Sequence, residues 1–207
     1  MAKTLFPLFA LCFLYSCVSD RNSNIIEVPY VIVEKDTVFV TVEVQASLAE
    51  KYEGALRKYL GLKELTGNND GPEIERMLLN CGINIPAPYC ACYLHNGLLD
   101  IGLNGGPGHQ PAFTPRWFED KNRIKYVRDV SNIHMNFEKG WVFGVYFRNL
   151  QRIAHVGVIL EDFGDGYVLT IEGNTNSAGS REGNGVFIRI RHKSEIYKCA
   201  DWLTNNS

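Results

Sequence analysis

The 207-residue chain reads as an α+β protein, with helices in its first half and a curved antiparallel sheet in its second. Three observations predict this class. Apolar residues recur at helical spacing between Ala46 and Leu65. A second helical stretch follows Pro72, and a third follows Pro88. From Val142 to Arg191, short β-rich runs are separated by clusters of Gly, Asp and Asn. Helices followed by strands, with no internal repeat, suit helices packed on one antiparallel sheet.

The elements follow in chain order. Met1-Ala2-Lys3 is a basic start, and Thr4 to Tyr15 is mostly apolar but too short to span a bilayer as a helix. This reads as a secretory leader, residues 1–16. Residues 17–45 form a tether and β-rich extension: Ser19 to Glu27 is polar, and Val28 to Val44 is dense in β-branched residues. That extension is either a hairpin on the domain or an extended arm. Residues 46–66 lead in as a helix, with Leu48, Tyr52, Ala55, Leu56, Tyr59 and Leu60 on one face. The main domain spans 67–203. Its first helix has Pro72 at the opening position and ends near Gly82. Pro86 and Pro88 keep the next approach extended, so another helix begins at about Tyr89. Strands are expected near 142–147, 154–160, 166–172 and 185–191.

Four residues in this frame carry chemistry. Cys90 stands at a helix N-terminus, where the macrodipole and unpaired N–H groups favour thiolate and can hold an oxyanion. His155 and Glu172 lie on two runs joined by Glu161-Asp162-Phe163-Gly164-Asp165-Gly166. A hairpin centred between Phe163 and Gly164 would set them directly opposite each other, their Cβ atoms about 4.5–5.5 Å apart. A carboxylate there can fix the imidazole's tautomer, the role of a triad's third member. Asn174 follows two residues later, either as a supporting polar group or as a residue suited to a left-handed turn.

Other residues read as structural. Cys92 is rotated about 200° from Cys90 around the helix and faces the core; His95, about 140° away, cannot easily serve as a local base. His109, His134 and His192 lack a partner pattern. The Gly105-Gly106-Pro107-Gly108 loop lacks the Lys and Ser/Thr of a phosphate cradle. The cysteines do not have zinc-site spacing, so neither metal nor cofactor is expected.

Tyr89-Cys90-Ala91-Cys92-Tyr93-Leu94, Ala154-His155-Val156-Gly157-Val158, Ile171-Glu172-Gly173-Asn174-Thr175 and Arg181-Glu182-Gly183-Asn184-Gly185-Val186 together resemble a CHAP domain. That family comprises papain-like, NlpC/P60-related amidohydrolases and peptidases that cut peptidoglycan. The resemblance covers roughly Gly67 to His192. It implies a papain-like fold with Cys90 as nucleophile, His155 as general base and then acid, Glu172 as orienting carboxylate and Asn174 as support. Tyr89 departs from the Gln that many members carry before the Cys, and Cys92 stands where a small or apolar residue is usual.

Leu14-Tyr15-Ser16-Cys17 resembles a bacterial lipobox, which implies lipidation at Cys17 and a membrane anchor in the cell envelope, facing the periplasm or on the outer membrane. A plain signal peptide or an uncleaved anchor is the alternative. Cys81, Cys90, Cys92 and Cys199 would then sit where disulfides are permitted, either with a Cys81–Cys199 bridge or as four thiols. The formal net charge of −2 and the lack of a Lys/Arg cluster argue against nucleic acid as a partner. The expectation is a lipid-anchored cysteine amidase or endopeptidase on peptidoglycan. The rivals are a catalytically inactive wall-binding or scaffolding module and a thiol-redox protein using Cys90 and Cys92.

Overall fold

The computed structural model describes residues 45–129, 132, 134–176 and 183–204. The leader, Cys17 and the β-branched stretch at 28–44 lie outside the described residues. Among the described residues from Ser47 to Thr204 there are three α-helices and a six-stranded antiparallel sheet, so the α+β class and its helices-then-strands order hold.

Helix α1 (Leu48–Arg57) opens with a capping box, in which Glu50 N–H donates to Ser47 Oγ at 3.2 Å and Ser47 N–H donates to Glu50 Oε2 at 2.7 Å. It stops well short of the expected Leu65. Beyond it the chain joins the sheet: Gly61 N–H donates to the Val186 carbonyl at 3.1 Å, and Val186 N–H donates to Leu62 O at 3.0 Å. Tertiary pairing ends the helical periodicity there. Helix α2 (Pro72–Asn80) starts at Pro72 as expected, since Pro at the first position forfeits no helical hydrogen bond. Helix α3 (Cys90–Asp100) is buried along most of its length. Two tyrosines fasten α1 across it, Tyr52 Oη donating to Leu94 O at 3.1 Å and Tyr93 Oη to Leu56 O at 2.9 Å.

The strands are β1 (Ile124–Val127), β2 (Val142–Phe147), β3 (Arg152–Asp162), β4 (Tyr167–Thr175), β5 (Gly185–His192) and β6 (Lys198–Ala200), in the order β1-β6-β2-β3-β4-β5. The first and last are too short to register as sequence patterns. Helices cover one face, where Val156, Val158, Leu160 and Ile171 join Leu56, Met77 and Leu94 in the larger core cluster. The other face gathers Tyr126, Phe137, Trp141, Phe143, Ile159 and Cys199. Cys81 packs against the helical cluster and Cys199 lies in the opposite one, so the sheet separates them. The four described cysteines are free thiols, which decides against the Cys81–Cys199 bridge.

Two glycines set the close approaches around α3 and β3. A Cβ on Gly173 would come within 2.8 Å of Tyr93 Cβ, so its absence lets α3 settle on β4. A Cβ on Gly157 would meet Glu172 Cγ and the Phe143 ring at 2.7 Å. Glu172 therefore occupies the space above Gly157.

Candidate functional site

The hairpin register differs from the sequence expectation. Near the turn, Asp162 pairs with Val168 and Glu161 with Leu169; after an irregularity, Ile159 pairs with Thr170 and Val158 with Ile171. One further step sets Glu172 beside Gly157, in accord with the space that Gly157 leaves. His155 is thus the diagonal neighbour of Glu172, not its direct partner. The face is still shared because of that irregularity: in the register of the turn, Glu172 would have fallen opposite Val158, on the helical face. The extra residue in β3 reverses the alternation. The long Glu side chain spans the diagonal, and His155 Nε2 lies 2.7 Å from Glu172 Oε2. Both side chains are buried.

Glu172 engages Nε2, the one ring nitrogen of His155 that has a hydrogen-bond partner among the described residues. Nδ1 makes no hydrogen bond among the described residues, while the Cys90 thiol lies near enough to the His155 ring for each to shift the other's pKa. Cys90 is the first residue of α3, with Tyr89 as its N-cap. The backbone N–H groups of Ala91 and Val156 also point at its sulfur. Burial opposes the thiolate, but His155 and these two N–H groups outweigh it, so the Cys90 pKa falls below its ordinary value. Burial likewise opposes a charged His155, yet its bonds to Cys90 and Glu172 raise its pKa to about 9. The two shifts run in the direction of a thiolate–imidazolium pair.

Glu172 is held by more than the imidazole. Arg191 grips it along one edge of the guanidinium, Nε to Oε1 at 2.6 Å and Nη2 to Oε2 at 2.7 Å, while Thr170 Oγ1 donates to Oε1 at 2.6 Å. Arg191 is itself buried, and its Nη1 reaches Glu195 Oε2 at 2.8 Å. Burial would push the Glu172 carboxyl up; Arg191 and His155 overcome this and hold it well below the usual carboxylate range. Neither Arg191 nor Thr170 was singled out in the sequence. The available signal was the period of two: 168, 170 and 172 share a face of β4, and Val168 is paired with Arg191 on β5.

The remaining candidates fall into place around this chain of contacts. Asn174 is buried, with a left-handed φ of 53° at the β4–β5 irregularity, and its carbonyl accepts from Gly183 N–H at 3.3 Å. Tyr89 is wholly buried, with its hydroxyl near the Asn174 backbone and Glu64. It does not line the cavity that holds Cys90. Cys92 is buried, and the neighbouring Cys81 thiol together with burial raises its pKa, keeping it protonated. His95 Nδ1 is engaged by the Gly105 carbonyl. Among the described residues no group of three His, Cys, Asp or Glu could hold a metal ion. No described helix is long and apolar enough to cross a membrane.

Two concavities flank the dyad. One, of about 200 Å³, holds Cys90 with Pro88, Phe113 and Arg152. The other, of about 340 Å³, holds His155 with Arg128, Tyr146 and Arg191. No family model, curated protein or solved structure matches this chain.

Proposed function

We propose that the chain is a cysteine hydrolase of amide bonds, a papain-like enzyme of the CHAP type acting on peptidoglycan. The observation that carries this reading is the buried His155–Glu172 pair, a carboxylate 2.7 Å from one ring nitrogen, together with a thiol at a helix start whose pKa the same imidazole lowers. In the reaction, the Cys90 thiolate attacks the amide carbonyl carbon, a C–S bond forms, and the carbonyl electrons move onto oxygen. Backbone N–H groups at the start of α3 stabilise that oxyanion. His155 then donates its proton to the departing nitrogen as the C–N bond breaks, leaving a thioester and a free amine. Water attacks the thioester while His155 takes one of its protons; the C–S bond breaks and Cys90 returns as thiolate.

The peptidoglycan substrate and the envelope location rest on the motif resemblance and on the lipobox-like Leu14-Tyr15-Ser16-Cys17. In this reading Cys17 carries lipid and the enzyme acts tethered to a membrane. The bond is either the sugar-to-peptide amide or a bond within the stem peptide. Purified sacculi incubated with wild-type protein should release muropeptide fragments whose masses name the bond, and Cys90→Ala should release none. Equal release by the two proteins would overturn the assignment.

One observation favours an inactive wall-binding module instead: Cys90 and His155 are only 4% and 1% exposed. Iodoacetamide separates the two readings. A working nucleophile is alkylated at neutral pH far faster than a buried structural thiol. Slow labelling of Cys90 together with tight sacculus binding would support the inactive module.

A further inference from the structure

Arg191 and Arg152 present the same chemical edge in two different situations. Arg191 spends its Nε and Nη2 donors on a bidentate grip of Glu172. Arg152, the first residue of β3, uses only Nη1, which donates to Thr114 Oγ1 at 3.2 Å and to the Ile153 carbonyl at 3.1 Å. Its guanidinium lies over the Phe113 ring at 5.5 Å. All these partners are neutral, and among the described residues no carboxylate pairs with it. The Nε–Nη2 edge, whose spacing matches a carboxylate's two oxygens, has no described partner.

That arginine lines the cavity that holds Cys90. The rest of the wall is small or apolar, including Leu78, Ile83, Pro88 and Phe113, and it holds no carboxylate, the Cys90 thiol being its one acidic group. At about 200 Å³ the cavity is smaller than a drug-sized ligand site and suits a single residue. Its two sources of positive potential, the Arg152 guanidinium and the start of α3, both favour an anion. Thr114 is pinned by its own bond to the Ile153 carbonyl at 2.6 Å, and through Nη1 it fixes the plane of the guanidinium.

We infer that Arg152 is a specificity residue that grips a free carboxylate on the acyl-donating part of the substrate, so that the preferred amide is one whose acyl side is anionic. This rests on the hydrolase reading above and narrows its substrate class. A neutral acyl group would leave the Arg152 charge in this cavity without a counter-ion, which disfavours it.

The test uses muropeptides released from sacculi by a muramidase, in their native form and after carbodiimide amidation of their carboxyl groups. Binding is measured calorimetrically to the Cys90→Ala protein, so that no turnover intervenes. Native muropeptides should bind more tightly than amidated ones by roughly 10- to 100-fold, the worth of a charge-assisted pair. Adding Arg152→Gln should erase the difference, and Arg152→Lys should restore part of it, since Lys keeps the charge but not the fork. Equal affinity for the two pools, a difference that survives Arg152→Gln, or no binding of either pool would overturn the inference. The hydrolase reading is scored separately by Cys90-dependent release from sacculi. If that release fails while acid-selective, Arg152-dependent binding persists, the catalytic assignment falls and the carboxylate site stands.

Discussion

At the scale of single residues, the order Cys90, His155, Glu172, Arg191 runs from reactive group to fixed charge. Each member constrains the one before it. Glu172 can orient the imidazole only because Arg191 and Thr170 fix the carboxylate. Glu172→Gln should lower kcat by roughly 10²-fold or more with little change in KM. It should also move the alkaline limb of the pH–rate profile below pH 9, since His155 loses one of the partners that raise its pKa. An unshifted alkaline limb would count against Glu172 as the orienting group. Peptide mapping after brief iodoacetamide treatment should find label on Cys90 and little on Cys92 or Cys199, both held as thiols by burial and, for Cys92, by Cys81. Predominant label on Cys92 would favour the thiol-redox rival.

At the scale of elements, the β3–β4 hairpin decides whether there is a site. Without the irregularity between Ile159 and Glu161, His155 and Glu172 would lie on opposite faces of the sheet. Gly157 is the second requirement, because the Glu172 side chain passes directly over it. In Gly157→Ala the new methyl meets Glu172 and Phe143 at 2.7 Å. Overpacking of this kind should cost roughly 1–3 kcal/mol and displace the carboxylate from His155. Denaturant melts should show the lost stability, and assays should show a fall in activity larger than stability alone explains. Wild-type activity in this variant would mean that the hairpin can relax without moving Glu172.

At the scale of the whole molecule, buried charge links the site to stability. Glu172 titrates lower in the folded chain than in the unfolded one. Its contribution is therefore present above the ordinary Glu value of 4.5 and is lost as pH falls through the depressed folded value. His155 is the opposite case: with a folded pKa of about 9 against an ordinary 6.5, its contribution is complete below 6.5 and fades as pH rises towards 9. Chemical denaturation across pH should show both flanks, and Glu172→Gln should flatten them; unchanged flanks in that variant would assign the linkage elsewhere. Arg191→Met leaves the Glu172 charge buried with only His155 as cation, and should cost roughly 3–5 kcal/mol. Thermal melts near neutral pH test that value.

Much of this was written locally. Cys90 at the start of α3 followed from Pro86, Pro88 and the apolar spacing after them, because proline geometry and helical periodicity are properties of neighbouring residues. Helix α2 and the four longer strands followed on the same grounds, as did the burial of Cys92. The length of α1 did not, because Gly61 and Leu62 bond to Val186, more than a hundred residues away. Strands β1 and β6, four and three residues long, are too short to carry a pattern. The sequence by itself determined which residues could do chemistry and on which elements they ride. Only the tertiary structure decided that His155 meets Glu172 on a diagonal, that Arg191 completes the carboxylate's shell, and that Arg152 lines the cavity beside Cys90. Register, bulges and cross-sheet ion pairs depend on contacts between distant segments, and periodicity within one strand cannot encode them.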